Sequence, residues 1–224
     1  MSLVHRHPDA RMFHHPAWMR LIRDTYGYPM FAVCLTHDGE IAAGIPMADV
    51  HSSFTGKRWI SLPCSDSCPP LLPENDPCAL PRLIKFLKQR SGSNTHRIEI
   101  HANVDTPEKV FRKGEFVQHI LPMNSPADEL FNRFEKRTTQ RSIRIAEKSG
   151  IVVKECKTFN DFESFYALHW KTRRRLGVPV QPKSLFVGLW NQLLQPGLGY
   201  CLVAYKNDTP VAGGVFLKFN NTIA

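Results

Sequence analysis

Hydrophobic positions in the first half of the chain recur in short blocks, some with helical spacing and some with strand spacing. Trp18, Leu21 and Ile22 follow the 3.6-residue period and predict a helix that ends at Gly27. The next two apolar runs flank Asp38-Gly39, a dipeptide that favours a two-residue hairpin turn. The same patterns predict strands over 30–35, 41–50, 58–62, 97–101 and 116–121, and a helix over 81–89.

The second half begins with a helical stripe that is interrupted. Ser125 is predicted to cap this helix, with Asp128 completing a capping box. Polar residues replace apolar ones over 137–142, and the stripe resumes at Ile145 and ends at Gly150. The elements predicted after it are a strand over 151–154, a helix capped by Asn160, a helix over 182–194, and strands over 200–205 and 211–219 joined across Asn207-Asp208.

This order of elements predicts an α/β (α+β) fold of two similar lobes with mixed sheets. We expect a first lobe over residues 1–124, and a linking helix with an incomplete second lobe over residues 125–224. The second lobe has fewer elements than the first and stops after a strand, which would leave a sheet edge unpaired. The sequence therefore favours a chain that is part of a longer protein.

The composition is that of an ordinary globular chain. It has 224 residues, 42% of them hydrophobic and 22% charged, and its apolar runs are too short to predict a membrane-spanning helix. Residues 1–9 lack the apolar core of a signal peptide, so we expect a cytoplasmic protein with six reduced cysteines. Four histidines near the N-terminus are expected to be solvated: His5, His7, His14 and His15.

Positive charge is concentrated in one part of the chain. The formal net charge is +9, and residues 131–183 carry 13 Lys and Arg against 5 Asp and Glu, whereas residues 1–130 carry 14 of each class. A local field of this kind attracts phosphate groups, nucleic acid or an anionic surface. An anionic partner is therefore expected at the second half of the chain.

Within that segment the sequence predicts a cationic face, formed by Arg137, Arg141, Arg144 and Lys148. These residues recur at spacings of four, three and four, which places them on one side of a helix. Four cations repel one another unless an anion neutralises them, and Arg offers planar bidentate donors to phosphate. We expect the face to bind a phosphate or pyrophosphate group. The alternative is a solvated face that is partly paired with nearby carboxylates.

A second cationic cluster is predicted at the end of the following helix. Lys171 and the three arginines 173–175 lie in its last turns, followed by a Pro-rich connector that contains Gln181. Cations at a helix C-terminus complement the helix dipole, which explains one or two of them but not four. Binding and structural roles both stay open for this cluster.

Few residues are candidates for acid–base chemistry. Asp66, in a Pro-rich loop, and His169, on an apolar helical face, are of the right type to accept a proton, although His169 fits a core position equally. No metal site is expected, because Cys64, Cys68 and Cys78 lack a matching pair of histidines at zinc-ligand spacing.

Four blocks of the sequence carry a resemblance to a known group: SLPCSDSCPPLL (61–72), KRTTQRSIRIAEKSGIVV (136–153), DFESFYALHWKTRRRLGVPVQPKSLF (161–186) and LVAYKNDTPVAGGVFLKFNNTIA (202–224). They resemble the Fem-like branch of the GNAT N-acyltransferase superfamily, which includes the peptidoglycan bridge-forming aminoacyl transferases. The block with Arg-Leu-Gly-Val-Pro-Val-Gln-Pro is the most specific. The resemblance implies two tandem GNAT-like lobes, in agreement with the two lobes expected from the pattern.

Site residues are also implied by the resemblance. It places Arg137, Arg141 and Arg144 at the seam between the lobes, where relatives contact a phosphate-bearing cell-wall precursor. It places Ser65 and Asp66 in a first-lobe loop that borders the same cleft. Weaker candidates for substrate binding in the second lobe follow from it too: Arg174, Arg175 and Gln181.

The acyl donor is expected to be a co-substrate rather than a tightly bound cofactor. The long helical hairpin of bridge enzymes that use aminoacyl-tRNA is absent from the sequence. Both acyl-CoA and aminoacyl-tRNA therefore stay open as the donor. GNAT proteins usually bind the donor pyrophosphate with a Gln/Arg-x-x-Gly-x-Gly/Ala turn after a central strand, and no such turn follows a strand in this sequence. Members of the family also continue past the position of Ala224.

The function implied is transfer of an acyl or aminoacyl group to an amine of a phosphate-bearing glycan or peptidoglycan-type precursor, in soluble or lipid-linked form. A non-catalytic module that binds a phosphorylated glycan carrier or a protein is the first alternative. An RNA-binding protein is the second. It is disfavoured because most aromatic residues fall on inward helical positions and no RNA-binding signature is present.

Overall fold

The computed structural model describes residues 2–53, 56–65, 67–92, 97–104, 106, 110–112, 114 and 117–224. These residues form helices and two four-stranded sheets, which confirms the mixed α/β architecture. The helices are α1 (Ser2–Arg6), α2 (Pro16–Tyr26), α3 (Ala79–Ser91), α4 (Ala127–Arg133), α5 (Arg141–Lys148), α6 (Phe159–Arg175) and α7 (Lys183–Leu189). The strands are β1 (Met30–His37), β2 (Glu40–Ser52), β3 (Gly56–Ile60), β4 (Ile98–Glu99), β5 (Val152–Glu155), β6 (Gly199–Lys206), β7 (Thr209–Phe219) and β8 (Thr222–Ile223).

The chain divides into two units that are not continuous in sequence. The first unit comprises residues 1–110, 179–200 and 215–224, and the second comprises residues 111–178 and 201–214.

The first sheet lies in the first unit, in the order β1-β2-β3-β4. Neighbouring strands are antiparallel except β3 and β4, which run parallel. Helix α3 packs on this sheet because Leu83 and Leu87 recur on one side of the helix and meet Val33, Ile45 and Met47 of β1 and β2. All five side chains are buried, so they form the core of this unit.

Both predicted hairpins are present. Strands β1 and β2 turn at Asp38 and Gly39, and strands β6 and β7 turn at Asn207 and Asp208. All four turn residues have positive φ, from 48° to 79°, the conformation that two-residue hairpin turns require and that Gly, Asn and Asp tolerate best.

Gly199, at the start of β6, occupies a position where no side chain fits. A Cβ atom at this residue would lie 2.5 Å from the carbonyl oxygen of Phe216, in the same unit. Only glycine allows this close approach of two backbones.

The sequence predicts one long helix from Ser125 onward, and this prediction is wrong because the structure has two helices there. Helix α4 ends at Arg133. The next residue, Phe134, is extended (φ −70°, ψ 151°), and a π-helical turn over Lys136–Gln140 leads into α5. The predicted cap is also absent, since Pro126 precedes α4 and no side chain caps it. The Ser125 hydroxyl instead accepts a hydrogen bond from Arg133 Nη2, at 2.8 Å.

The cap of α6 and the strand predicted over 116–121 also differ from the sequence-based expectation. Thr158, not Asn160, caps α6: its hydroxyl accepts the Asp161 N–H, and the Asp161 carboxylate accepts the Thr158 N–H in return. The strand predicted over 116–121 is not formed by residues 117–121, and residue 116 lies outside the described residues.

Two of the N-terminal histidines are buried rather than solvated. His14 is 3% exposed and His15 is 9% exposed. The His14 ring is held at both nitrogens, since Nδ1 accepts the Arg11 N–H at 3.0 Å and Nε2 lies 2.8 Å from the Pro69 carbonyl oxygen. One nearby and one distant backbone partner thus fix this ring.

Across the described ranges, we find no helix that combines the length and the apolar character needed to cross a bilayer.

Candidate functional site

The cationic face is built by a helix that restarts after a break. Glu135 begins the restart: its carboxylate accepts hydrogen bonds from the Thr138 N–H at 2.6 Å and from the Thr138 hydroxyl at 2.7 Å. These hydrogen bonds hold the pKa of Glu135 below its usual value, and the bond from the Thr138 hydroxyl has the largest effect. The negative charge of Glu135 therefore stabilises the N-terminus of this helical segment, where the helix dipole also favours an anion.

Helix α5 carries three of the four cations on one face. Arg141, Arg144 and Lys148 are spaced at i, i+3 and i+7, and all three side chains are exposed. Arg137 is exposed in the π-helical turn, four residues before Arg141. A π-helical turn interrupts an α-helix and recurs at functional sites in proteins.

Arg144 is the member of the face that the protein holds in place. Its guanidinium lies over the Phe131 ring, 5.4 Å from the centroid, and its Nη2 lies 3.5 Å from the Gln140 Oε1. Gln140 is only 2% exposed, and its Nε2 donates to the Phe134 carbonyl oxygen at 2.8 Å. One buried amide therefore joins the end of α4 to the start of α5.

No carboxylate neutralises the cationic face among the residues that the structure describes. Glu135 is engaged at the helix start, and neither it nor Glu147 forms an ion pair with Arg137, Arg141 or Lys148. The pairing with Glu135 and Glu147 that the sequence alternative included is not formed by the described residues, and a solvated face and an anion-binding face both stay open. These three side chains are exposed cations that can contact an anion in solvent.

Arg174 and Arg175 lie on another helix of the same unit, in the last turn of α6. The Arg174 guanidinium stacks on Trp170, 5.2 Å from the ring centroid, while Arg175 is exposed. Val178 N–H donates to the Arg173 carbonyl oxygen at 3.1 Å and closes the helix end. Both arginines stand where cations complement the helix dipole.

Ser65 and Gln181 belong to the first unit. The Ser65 hydroxyl donates to the Leu62 carbonyl oxygen at 2.7 Å. Leu62 and Cys64 both have positive φ, 55° and 61°, which is strained for side chains of this kind. Such strain recurs in loops that contact ligands, so the loop remains a candidate. Gln181 is half-buried in the connector that leads to α7.

The structure describes only one of the two candidate proton acceptors, His169. His169 is half-buried on α6, with its ring 6.1 Å from the Phe165 ring, on the same side of the helix as the fully buried Phe162. Asp66 lies outside the described residues. A core position and a catalytic one both stay open for His169.

A pocket of about 170 Å³ is present in the second unit and contains none of the predicted site residues. It is lined by Lys154, Glu155, Cys156, Asp161 and Tyr205. Ligand pockets typically enclose about 300–1,000 Å³, so this one is too small for a nucleotide-linked substrate.

Sequence analysis missed Gln140, which holds Arg144. The only signal was that a polar residue stands inside the interrupted stripe, next to the arginines of the cationic face. Its burial depends on the break at Phe134, which the sequence pattern did not reveal.

Comparison with known proteins gives a family match for the C-terminal part of the chain. Residues 133–224 match the family described as Acetyltransferase (GNAT) domain, and the match begins just before the cationic face. Comparison with curated proteins gives no match.

A solved structure shows the fold of nearly the whole chain. The chain is similar to a structure described as "Crystal structure of FemX", with a TM-score of 0.63 and 18% sequence identity. The similarity covers 91% of this chain and 55% of that one, so the chain spans about half the length of FemX. The Fem-like GNAT resemblance predicted from the sequence is thereby confirmed, at the level of a GNAT domain match and a shared fold.

Proposed function

We propose that this chain is an N-acyltransferase with a Fem-like GNAT fold. The reaction is transfer of an acyl group to an amine of a phosphate-bearing glycan or peptidoglycan-type precursor. The cationic face holds the phosphate or pyrophosphate of that acceptor. The observation that carries the proposal is the set of exposed cations without ion pairs at the start of the GNAT-matched region.

The chemistry requires three things of the protein. The amine nitrogen attacks the carbonyl carbon of the acyl donor, so a C–N bond forms and a C–S bond of the thioester breaks. The amine proton goes to a general base, and the CoA sulfur leaves and takes up a proton. The protein must therefore position the amine, accept its proton and stabilise the oxyanion.

Phosphate binding serves the first of these requirements. Arg137 and Arg141 offer bidentate donors, and Lys148 adds a point charge about two helical turns from Arg141. Because the acceptor's phosphate is remote from the reacting amine, binding energy gained there orients the amine without taking part in bond formation. Ser65, Arg174, Arg175 and Gln181 stay secondary candidates for contacts with the same substrate.

An acyl-CoA thioester is the donor favoured by the GNAT acetyltransferase match. Aminoacyl-tRNA, the other donor predicted from the sequence, has no support from that match. His169 and Asp66 remain the proposed proton acceptors. Use of acyl-CoA and of a nucleotide-linked precursor also favours a cytoplasmic location and a role in bacterial cell-wall or polysaccharide synthesis.

The proposal is tested by incubating the full chain with acetyl-CoA and a UDP-linked muropeptide and measuring the acceptor's mass. Transfer adds one acetyl group and releases one free CoA thiol. Binding of the muropeptide without transfer would favour the non-catalytic binding module instead. A folded chain that binds neither compound would overturn the proposal.

A further inference from the structure

Two cysteines lie opposite each other on neighbouring strands of the second unit. Strand β5 pairs with β6 in antiparallel register, and the last pair in that ladder is Glu155 with Leu202. The next residues along the two strands, Cys156 and Cys201, therefore face each other. The Cys156 N–H donates to the Cys201 carbonyl oxygen at 2.9 Å, so the pairing continues through them.

Both cysteines are buried, at 7% and 1% exposed. Burial first, and then the neighbouring Cys156 thiol, raise the pKa of Cys201. Residues directly opposite in an antiparallel pair have Cα atoms about 4.5–5.5 Å apart. This separation lies inside the range of about 4.4–6.8 Å that a disulfide needs, so the strand pairing is compatible with a disulfide between them.

We propose that Cys156 and Cys201 form a site of reversible oxidation that closes into a cross-strand disulfide. The oxidant is hydrogen peroxide. The sulfur of one thiol attacks a peroxide oxygen, so that an S–O bond forms and the O–O bond breaks. The departing hydroxide takes up the thiol proton and leaves as water, and a sulfenic acid remains. The second sulfur attacks the sulfenic sulfur, forms the S–S bond and releases a second water. Two thiols and one peroxide thus give one disulfide and two waters.

Cys156 is assigned the first step because it lines the 170 Å³ pocket, which admits a molecule as small as peroxide. Cys201 is the resolving cysteine because it is almost fully buried beside Cys156. Burial raises the pKa of both thiols, so little thiolate is present at neutral pH. The first step is therefore slow compared with oxidation of a low-pKa sensor cysteine.

The disulfide would hold the edge strand β5 in its sheet. Within the part of the chain that the structure describes, β5 pairs with β6 on one side and with no other strand, and all four of its residues are exposed. Strand β5 follows α5 after the turn at Gly150, so the bond would anchor the segment that carries the cationic face. Oxidation is expected to slow local opening of β5 from the sheet.

The other cysteines do not offer a competing pair. Among the described residues, no hydrogen bond joins two of the remaining four thiols: Cys34, Cys64, Cys68 and Cys78. Cys156 and Cys201 are therefore the pair that a two-electron oxidant is expected to join first.

The test treats the full chain with hydrogen peroxide, unfolds it, alkylates the remaining thiols and measures the intact mass. The expected product has lost two hydrogen atoms and accepts four alkyl groups instead of six, with the linked peptides containing Cys156 and Cys201. A reductant should restore six. Alkylation of all six cysteines after peroxide treatment, or a disulfide between other cysteines, would overturn the proposal.

Two further measurements keep the test decisive. Cys201→Ser should accumulate a sulfenic acid on Cys156, trapped by a carbon-acid probe such as dimedone, whereas the control Cys34→Ser should form the disulfide as the unaltered chain does. Hydrogen exchange of Val152–Glu155 should slow in the oxidised wild-type chain, and this measurement needs no variant. Unchanged exchange in a chain whose disulfide has been mapped would contradict the anchoring of β5.

Discussion

The buried Gln140 side chain donates a hydrogen bond from Nε2 to the Phe134 carbonyl oxygen, at 2.8 Å. The bond spans the break between α4 and α5, and the Oε1 of the same amide faces the Arg144 guanidinium. A single side chain thus sets both the course of the backbone and the position of one cation of the proposed phosphate site.

Replacing Gln140 by Leu should therefore destabilise the protein. The change leaves the Phe134 carbonyl oxygen without its donor in a half-buried environment, which costs about 1–3 kcal/mol. Denaturant unfolding measures the loss. The control is Thr139→Ala at the neighbouring exposed position, which should change stability by less than about 0.5 kcal/mol. Equal stability of both variants would mean that Gln140 does not hold the break.

Arg141 and Arg144 should differ in their effect on stability. Arg141 is exposed and has no partner among the described residues, so Arg141→Ala should change the free energy of unfolding by less than about 0.5 kcal/mol. Arg144→Ala removes the stacking on Phe131 and should cost about 0.5–1 kcal/mol. Denaturant unfolding compares the two. A loss of several kcal/mol in Arg141→Ala would show that Arg141 is structural.

Stability should depend on the protonation of His14. Burial lowers its pKa below the usual 6.5, so the folded state keeps the ring neutral when the unfolded chain has begun to bind a proton. The stabilisation is therefore complete above pH 6.5 and is lost as the pH falls below it, by at most about 1.4 kcal/mol per pH unit for one proton. Unfolding at several pH values, compared with His14→Gln, measures this slope. Identical slopes for the two proteins would contradict the assignment.

Two strand glycines should differ in their tolerance of a methyl group. Gly199→Ala places a Cβ 2.5 Å from the Phe216 carbonyl oxygen and should cost about 1–3 kcal/mol, because backbone must move. At Gly44 the nearest atom to a Cβ is the Cys34 Sγ, at 3.3 Å, so Gly44→Ala should cost less. Thermal unfolding ranks the variants, and a reversed order would contradict the packing described.

Local signals in the sequence were sufficient for the hairpins and for most helices. Asp38-Gly39 and Asn207-Asp208 carry turn chemistry that depends only on neighbouring residues. The cap of α6 was misplaced by two residues because Asn160 and Thr158 are both good capping residues, and the reciprocal bonds with Asp161 decide between them.

Other features depend on contacts between residues distant in sequence, which patterns do not reveal. The burial of His14 depends on Pro69, 55 residues away. The pairing of Cys156 with Cys201 depends on the register of β5 against β6. For the cationic face, spacing alone predicted that its residues share one side of a helix. The break at Phe134 and the buried Gln140 needed the structure.

The central claim is that the cationic face binds the phosphate of an acceptor precursor. Calorimetric titration of the full chain with a UDP-linked muropeptide tests it most directly, using Arg141→Ala and, as the control, Lys206→Ala, an exposed lysine of the same unit. Loss of one charge-assisted contact is worth about 1.5–3 kcal/mol, so Arg141→Ala should weaken binding by about 10- to 140-fold, and Lys206→Ala should leave it unchanged. Equal affinity of both variants and the wild-type chain would contradict the claim.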